Sequence, residues 1–249
     1  MYDVKLSLIV PCFNEGKIIY NNLMTIFEYL QKTVASFEVI AVNDGSEDNT
    51  LQELQRAAGQ FPLRIVSSGI NHGKGRAIRD GFLVSKNDIV MFIDADLSTS
   101  IDELDPFLDA LHNGNEMVFG CRLIDGYLPQ QKVYWHRRVI SAAFRMVRIA
   151  IIGSCSVEDT QCGFKVFRRD AAMKIFPLLR IERFAFDSEL VFLAHKAGYQ
   201  IIELPVGFRS KGKGSVNFLS DPIDMTIDLI RIRLNHMTGR YSVTHRSHR

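Results

Sequence analysis

Short apolar runs rich in valine and isoleucine alternate with longer amphipathic stretches through the first half of the chain. The runs at Leu6–Pro11, Phe37–Val42, Leu63–Ser67, Ile89–Asp94 and Glu116–Gly120 read as strands of a parallel sheet. Helical periodicity fills the intervals at Lys17–Lys32, Asn49–Gly59, Lys74–Ser85 and Ile101–Asn113. This βαβ alternation predicts an α/β fold, a Rossmann-like, mostly parallel central sheet with helices on both faces. Polar and glycine-rich residues follow the strand ends at Asn14-Glu15, Asp44-Gly45-Ser46, Asn71 to Arg76 and Asp94 to Ser98. Ligands of such sheets bind at the carboxyl ends of the strands, so these four loops are expected to converge on one site.

The second half has a different rhythm. It predicts a long basic helix over Val133–Ile152, a strand at Gly163–Arg168, a helix at Phe186–Ala197 and a strand at Gln200–Leu204. A glycine- and lysine-rich loop, Ser210 to Ser215, leads to a final helix with Asp221 as N-cap and Pro222 at its first position. No linker, repeat or low-complexity tract separates the halves, so the second is expected to pack directly on the first.

Composition narrows the class. With 249 residues, 47% of them apolar, the chain can bury one large core. A formal net charge of +2 excludes wholesale nucleic-acid binding and leaves only local charge clusters to interpret. Cys12, Cys121, Cys155 and Cys162 show neither CxxC pairing nor metal-finger spacing, and no signal peptide precedes the first strand, which points to a reducing cytoplasm. The longest uncharged apolar stretch, around Ile149 to Val157, is too short to span a bilayer.

Ile93-Asp94-Ala95-Asp96 closes an apolar strand. Residues two apart on extended backbone share a side, so Asp94 and Asp96 can present two carboxylates to one space, as a hard divalent cation requires. A helix cap with a solvated acid fits the same spacing. Asp44 of Val42-Asn43-Asp44-Gly45-Ser46 can accept hydrogen bonds from a base or a ribose, or simply form a turn. Asn71-His72-Gly73-Lys74-Gly75-Arg76 puts two glycines and two cations at a helix start, an arrangement that attracts phosphate.

In this order, Val10-Pro11-Cys12-Phe13-Asn14-Glu15, Val42 to Ser46, Gly73-Lys74-Gly75 and Asp94-Ala95-Asp96 closely resemble the family 2 glycosyltransferases of GT-A fold. The resemblance continues through Gly120-Cys121-Arg122, Arg137 to Ser141, Asp159 to Lys165 and Arg183 to Asp187, and covers roughly residues 5 to 241. Within the family the chain is most similar to the dolichyl-phosphate β-glucosyltransferase and mannose synthase branch. The resemblance implies a donor site of Pro11, Asn14, Glu15, Asp44, Gly73, Lys74, Asp94 and Ala95, with Mg²⁺ or Mn²⁺ held by Asp94 and Asp96. It implies an acceptor-phosphate site of Arg122, Arg137, Ser141, Gln161 and Lys211. Two positions depart: Ser98 stands where mannose synthases tend to carry Gln, and Gly214-Ser215-Val216 replaces Gly-Ser-Lys.

The implied division is a nucleotide-sugar half at 1–122, an acceptor and membrane-surface half at 123–241, and a basic tail at 242–249. Arg137, Arg138, Arg145 and Arg148 fall on one face of the predicted basic helix, suited either to solvent or to phosphate and anionic membrane. Ile223, Ile227, Ile230 and Leu234 form an apolar stripe on the final helix, suited to a core or a bilayer. The expected reaction is inverting transfer of glucose from UDP-glucose to a polyprenyl phosphate, at the cytoplasmic face of a membrane, with Asp96 catalytic through its metal. A phosphate acceptor is already anionic and needs no strong base; a hydroxyl acceptor would need one, and Asp159 and Asp187 are then the candidates. Alternatives are mannose transfer from GDP-mannose, extension of a glycan, and a nucleotide-sugar-binding scaffold without catalysis.

Overall fold

The computed structural model describes residues 1–122, 146–153, 157–209 and 221–241, without the side chains of 221–223. Arg137, Ser141 and Lys211, together with Arg138, Arg145, Cys155, residues 214–216 and the tail from 242, lie outside the described residues, as does the side chain of Asp221.

The first half follows the predicted alternation: β1 (Tyr2–Cys12), α1 (Ile19–Thr33), β2 (Val34–Asp44), α2 (Thr50–Ala58), β3 (Leu63–Ser68), α3 (Lys74–Val84), β4 (Ile89–Phe92), α4 (Leu104–His112) and β5 (Met117–Cys121). Then come helical residues 146–152 (α5), β6 (Lys165–Arg168), α6 (Arg169–Ile175), α7 (Phe186–Lys196), β7 (Ile201–Pro205) and α8 (Asp221–Met237). The seven strands form one sheet in the order β3-β2-β1-β4-β6-β5-β7. All neighbours are parallel except β6, which runs antiparallel between β4 and β5. A strand from the second half of the chain therefore closes the sheet of the first half.

Interior strands are apolar on both faces because both are covered. One layer joins Ile9, Ile40, Phe92, Phe119 and Phe167 to α3, α6, α7 and α8. The other joins Leu8, Val39, Met91 and Val166 to α1 and α4. In α1 the buried residues Ile19, Leu23, Ile26, Phe27 and Leu30 recur at helical spacing and form the stripe that meets the sheet.

Two expectations change, and one open reading is decided. The strand predicted to reach Asp94 ends at Phe92, since residues 94–97 turn, with the Leu97 N–H donating to the Asp94 carbonyl at 3.0 Å. Arg148, read as part of an exposed basic face, is 2% exposed and donates to the Val157 carbonyl at 2.8 Å. On α8 the residues in the core are Leu229 and Ile232, whereas Ile227, Ile230 and Leu234 of the expected stripe are exposed.

Candidate active site

The carboxyl ends of β1, β2 and β4 meet the start of α3. Pro11 lies beyond the last β1–β4 pair, Ile9 with Phe92. Past it, Asn14 turns with φ 56°, its N–H donating to Ser46 Oγ (3.0 Å) and its Oδ1 accepting from the Glu47 N–H (2.9 Å). The Glu15 N–H donates to Thr50 Oγ1 at 2.8 Å and the Gly16 N–H to Asp48 at 3.0 Å. A hollow of about 580 Å³ opens here between Asn14, Glu15, Lys17 and Asp48.

Asp44 ends β2 almost fully buried. Its two carboxylate oxygens accept the backbone N–H groups of His72 (3.0 Å) and Gly73 (2.7 Å), fixing the loop that opens α3. Gly73 sits at φ 112°, and a Cβ there would lie 2.6 Å from the Glu182 carbonyl oxygen, so only glycine fits. The next residue, Lys74, places its ammonium 2.5 Å from Asp94.

Burial alone would raise the Asp94 carboxyl, but Lys74, with Lys165 and Arg122 farther out, holds it below its ordinary value. Asp96 accepts from the Ser98 N–H (2.9 Å) and Oγ. Ala95 is buried, and its carbonyl accepts from Asn22 Nδ2 at 2.7 Å. Glu15 faces this acidic group: its carboxyl is pushed up to about 7 by burial and then by the charges of Asp96, Asp48 and Asp94. Among the described residues no three Asp, Glu, His or Cys side chains converge as a metal centre, so Asp94 and Asp96 could hold a hard cation only with ligand oxygens completing its shell. The donor set is thus oxygen only, with Asp94 shared by Lys74.

A second layer sits behind Asp94. Gly163 presses on it so closely that a Cβ would lie 1.9 Å from Asp94 Oδ2. Arg122 grips Asp159 through Nε and Nη2 at 2.7 and 2.8 Å while its N–H donates to the same carboxylate at 3.0 Å. Burial opposes ionisation of Asp159, yet the guanidinium holds the carboxyl below its ordinary range. The N–H groups of Glu158 and Asp159 donate to Glu203 on β7.

Asp187 accepts from Lys165 Nζ at 2.7 Å, and both side chains are buried. The same ammonium donates to the carbonyls of Thr160 (2.9 Å) and Cys162 (2.5 Å) and lies over the rings of Phe92 and Phe119. Burial drives the Asp187 carboxyl up against the pull of Lys165 and Lys74. Sequence reasoning did not single out Lys165, because a lysine in a strand gives no sign that it points into the core. Gln161 stands on this loop with its buried Nε2 unpartnered among the described residues.

The structure thus brings Lys74, Asp94, Asp159, Gly163 and Asp187 into one connected group, with Glu15 and Asp96 at its edge. Comparison with known proteins supplies a frame for it. Residues 7–176 match the model of the family described as glycosyl transferase family 2. The chain is 32% identical over 253 residues to a dolichyl-phosphate beta-glucosyltransferase of Trichomonas vaginalis, covering 97% of this chain and 74% of the relative. Relatives of the same name from Saccharomyces cerevisiae and Homo sapiens are each 31% identical, covering 96% and 95% of this chain and 77% of theirs. Among solved structures, Mycobacterium tuberculosis glucosyl-3-phosphoglycerate synthase superposes with a TM-score of 0.66 at 19% identity, covering 97% of this chain and 82% of that one, and shares the fold.

Proposed function

The chain belongs to glycosyl transferase family 2, and on that footing we propose that it moves glucose from UDP-glucose onto dolichyl phosphate, inverting the anomeric centre. The names of its relatives support the acceptor and the sugar. One observation carries the chemistry: Asp159 and Asp187, the carboxylates on which a hydroxyl acceptor would have to rely, are both buried in ion pairs, with Arg122 and Lys165. Arg122 holds the Asp159 carboxyl low, which makes it a poor proton acceptor, and Asp187 is sealed from solvent beside Lys165, whereas a phosphate acceptor needs no base.

One phosphate oxygen attacks the anomeric carbon as the bond to the β-phosphate oxygen of UDP breaks. A β-glucosyl phosphodiester and UDP result, and no proton need move, since the acceptor's second pKa is about 6. Pro11, Asn14, Glu15, Asp44 and the Gly73 loop form the wall assigned to uridine, Asp44 acting through the loop backbone that it fixes. Lys74 at the amino end of α3 adds positive charge beside the diphosphate. Asp94 and Asp96 would hold Mg²⁺ or Mn²⁺, which when bound neutralises charge on the departing diphosphate. On the acceptor side Arg122 is oriented by Asp159, and the buried Gln161 amide has an N–H with no partner among the described residues. Motif position assigns Arg137, Ser141 and Lys211 to the same phosphate. In this reading residues 1–122 serve the donor, 123–241 the acceptor and membrane surface, and 242–249 form the basic tail. No described helix is long and apolar enough to cross a membrane, and we place the protein peripherally on a cytoplasmic face.

The test supplies radiolabelled UDP-glucose, UDP-N-acetylglucosamine and GDP-mannose in parallel to purified protein with Mn²⁺ and a short polyprenyl phosphate. Label should enter the lipid from UDP-glucose alone, vanish with EDTA, and fall by roughly 10²-fold or more in Asp96→Ala. Lipid label from GDP-mannose instead would reassign the sugar. Slow metal-dependent hydrolysis of UDP-glucose with no lipid label would replace the acceptor.

A further inference from the structure

Away from the Asp94 group, a cleft of about 470 Å³ opens between the 180–183 segment, the His72 loop and α8. Four arginines line it, Arg180, Arg183, Arg231 and Arg240, against the two carboxylates of Glu182 and Asp228. Both carboxylates are already matched: Glu182 accepts from Arg76 at 3.2 Å and Asp228 from Arg231 at 2.9 Å. Arg183 adds its charge to that of Arg231 beside Asp228, and Arg180 lies near the buried Glu189, while among the described residues Arg240 has no acidic partner. The Arg180 guanidinium donates to the Arg240 carbonyl and that of Arg240 to Asn235 Oδ1, each at 3.2 Å. The walls are firmly built. Glu189, fully buried, accepts the N–H groups of Arg180 (2.9 Å) and Ile181 (2.8 Å) and the Tyr241 hydroxyl, tying both ends of the cleft to α7.

Four guanidinium forks against two lining carboxylates leave an excess of positive charge on one open cleft, which suits phosphate oxygens. The neighbouring surface says what carries that phosphate. At 100° per residue, Ile227, Ile230, Leu234 and Met237 fall within an arc of about 80° on α8, and Arg231 lies next to that arc on the side of the cleft. All four apolar residues are exposed, from 43% for Ile227 to 71% for Met237, while Leu229 and Ile232 on the opposite side fill the core. An anion cleft bordered by an unburied apolar stripe matches the two ends of an amphiphile.

We propose that this cleft takes the phosphate of an anionic membrane lipid, with Ile227, Ile230 and Leu234 resting in the acyl boundary. It is a holding site built from residues separate from the Arg122–Asp159 pair, so its failure leaves the transfer reading untouched. The lipid's headgroup orients the donor site toward the bilayer, because His72 and Gly73 are adjacent in one loop and His72 also lines the cleft.

The experiment compares flotation with phosphatidylcholine vesicles, with and without phosphatidic acid, for the unaltered protein, Arg231→Gln/Arg240→Gln and Ile230→Gln. Calorimetry with inorganic phosphate and transfer to a soluble short-chain acceptor run alongside. Phosphatidic acid should strengthen binding, the double variant should lose about fivefold per arginine, and Ile230→Gln should also weaken it. Transfer to the soluble acceptor should stay unchanged in every variant, which shows that they remain folded. Equal binding with and without phosphatidic acid, or variants that bind as the unaltered protein does, would overturn the site. Inorganic phosphate binding as tightly as the vesicles, with Ile230→Gln without effect, would reassign it to soluble phosphate and overturn the lipid assignment.

Discussion

Single side chains set the chemistry by what lies within 3 Å of them. Gly163 leaves room for the Asp94 carboxylate and for nothing more. A Gly163→Ala protein should therefore fold, with Asp94 pushed off Lys74, and lose most of its transfer; near-normal turnover in a rate assay would show that Asp94 needs no such confinement. Glu15 gives a pH signature. Its carboxyl is pushed up to about 7, above the unfolded value of about 4.5, so the native state holds this proton longer than the unfolded chain does. The favourable contribution is present below about 4.5 and lost as pH rises through about 7. Metal-free protein in EDTA should lose thermal stability across that window, and Glu15→Gln should flatten the loss. Asp94-Ala95-Asp96 could be found in the sequence because two acids at the end of an apolar run are costly without a partner. The partners themselves, Lys74 and Gly163, come from other elements, and only folding brings them there.

Elements were legible in proportion to their length and periodicity. The helix α1 repeats its apolar positions over four turns and was predicted within two residues, whereas α6 has seven residues, too few for a period to emerge, and was not predicted. The direction of β6 has no local signature at all, since an apolar run is the same whichever way it runs. On α8, apolar residues lie on two faces, and the stripe that the sequence left open between core and bilayer is the one that the core does not use. Its far end is anchored by Tyr241, whose hydroxyl donates to the buried Glu189 carboxylate. Burial raises the Glu189 carboxyl against that bond. Removing the hydroxyl in Tyr241→Phe should cost about 2 kcal/mol, measured by urea unfolding, and should speed proteolysis at the α8 terminus. An unchanged midpoint would mean that α8 is held by Leu229 and Ile232 alone.

At the scale of the whole molecule, strands from before residue 122 and from after it meet within a single sheet. Lys165 pairs in register with Phe92 on β4 and Phe119 on β5, and its ammonium fixes the loop that carries Asp159 and Gly163. A chain ending at residue 122 would lack β6 and leave β4 and β5 as unpaired apolar edges, so it should be aggregated or molten by near-ultraviolet circular dichroism. A soluble, cooperatively unfolding fragment would show that the first half is self-sufficient. The sequence by itself determined the βαβ order, the clustering of polar loops at the strand ends and the acid pair, because these depend on local periodicity and on residue type. Tertiary structure alone decided that Asp44 binds a loop backbone, that Asp159 and Asp187 are spent in ion pairs, that Arg148 is buried, and that the apolar face of α8 looks outward. Those outcomes depend on which charges and surfaces meet across tens of residues, and burial then fixes whether each carboxylate is a base, an anchor or a metal ligand.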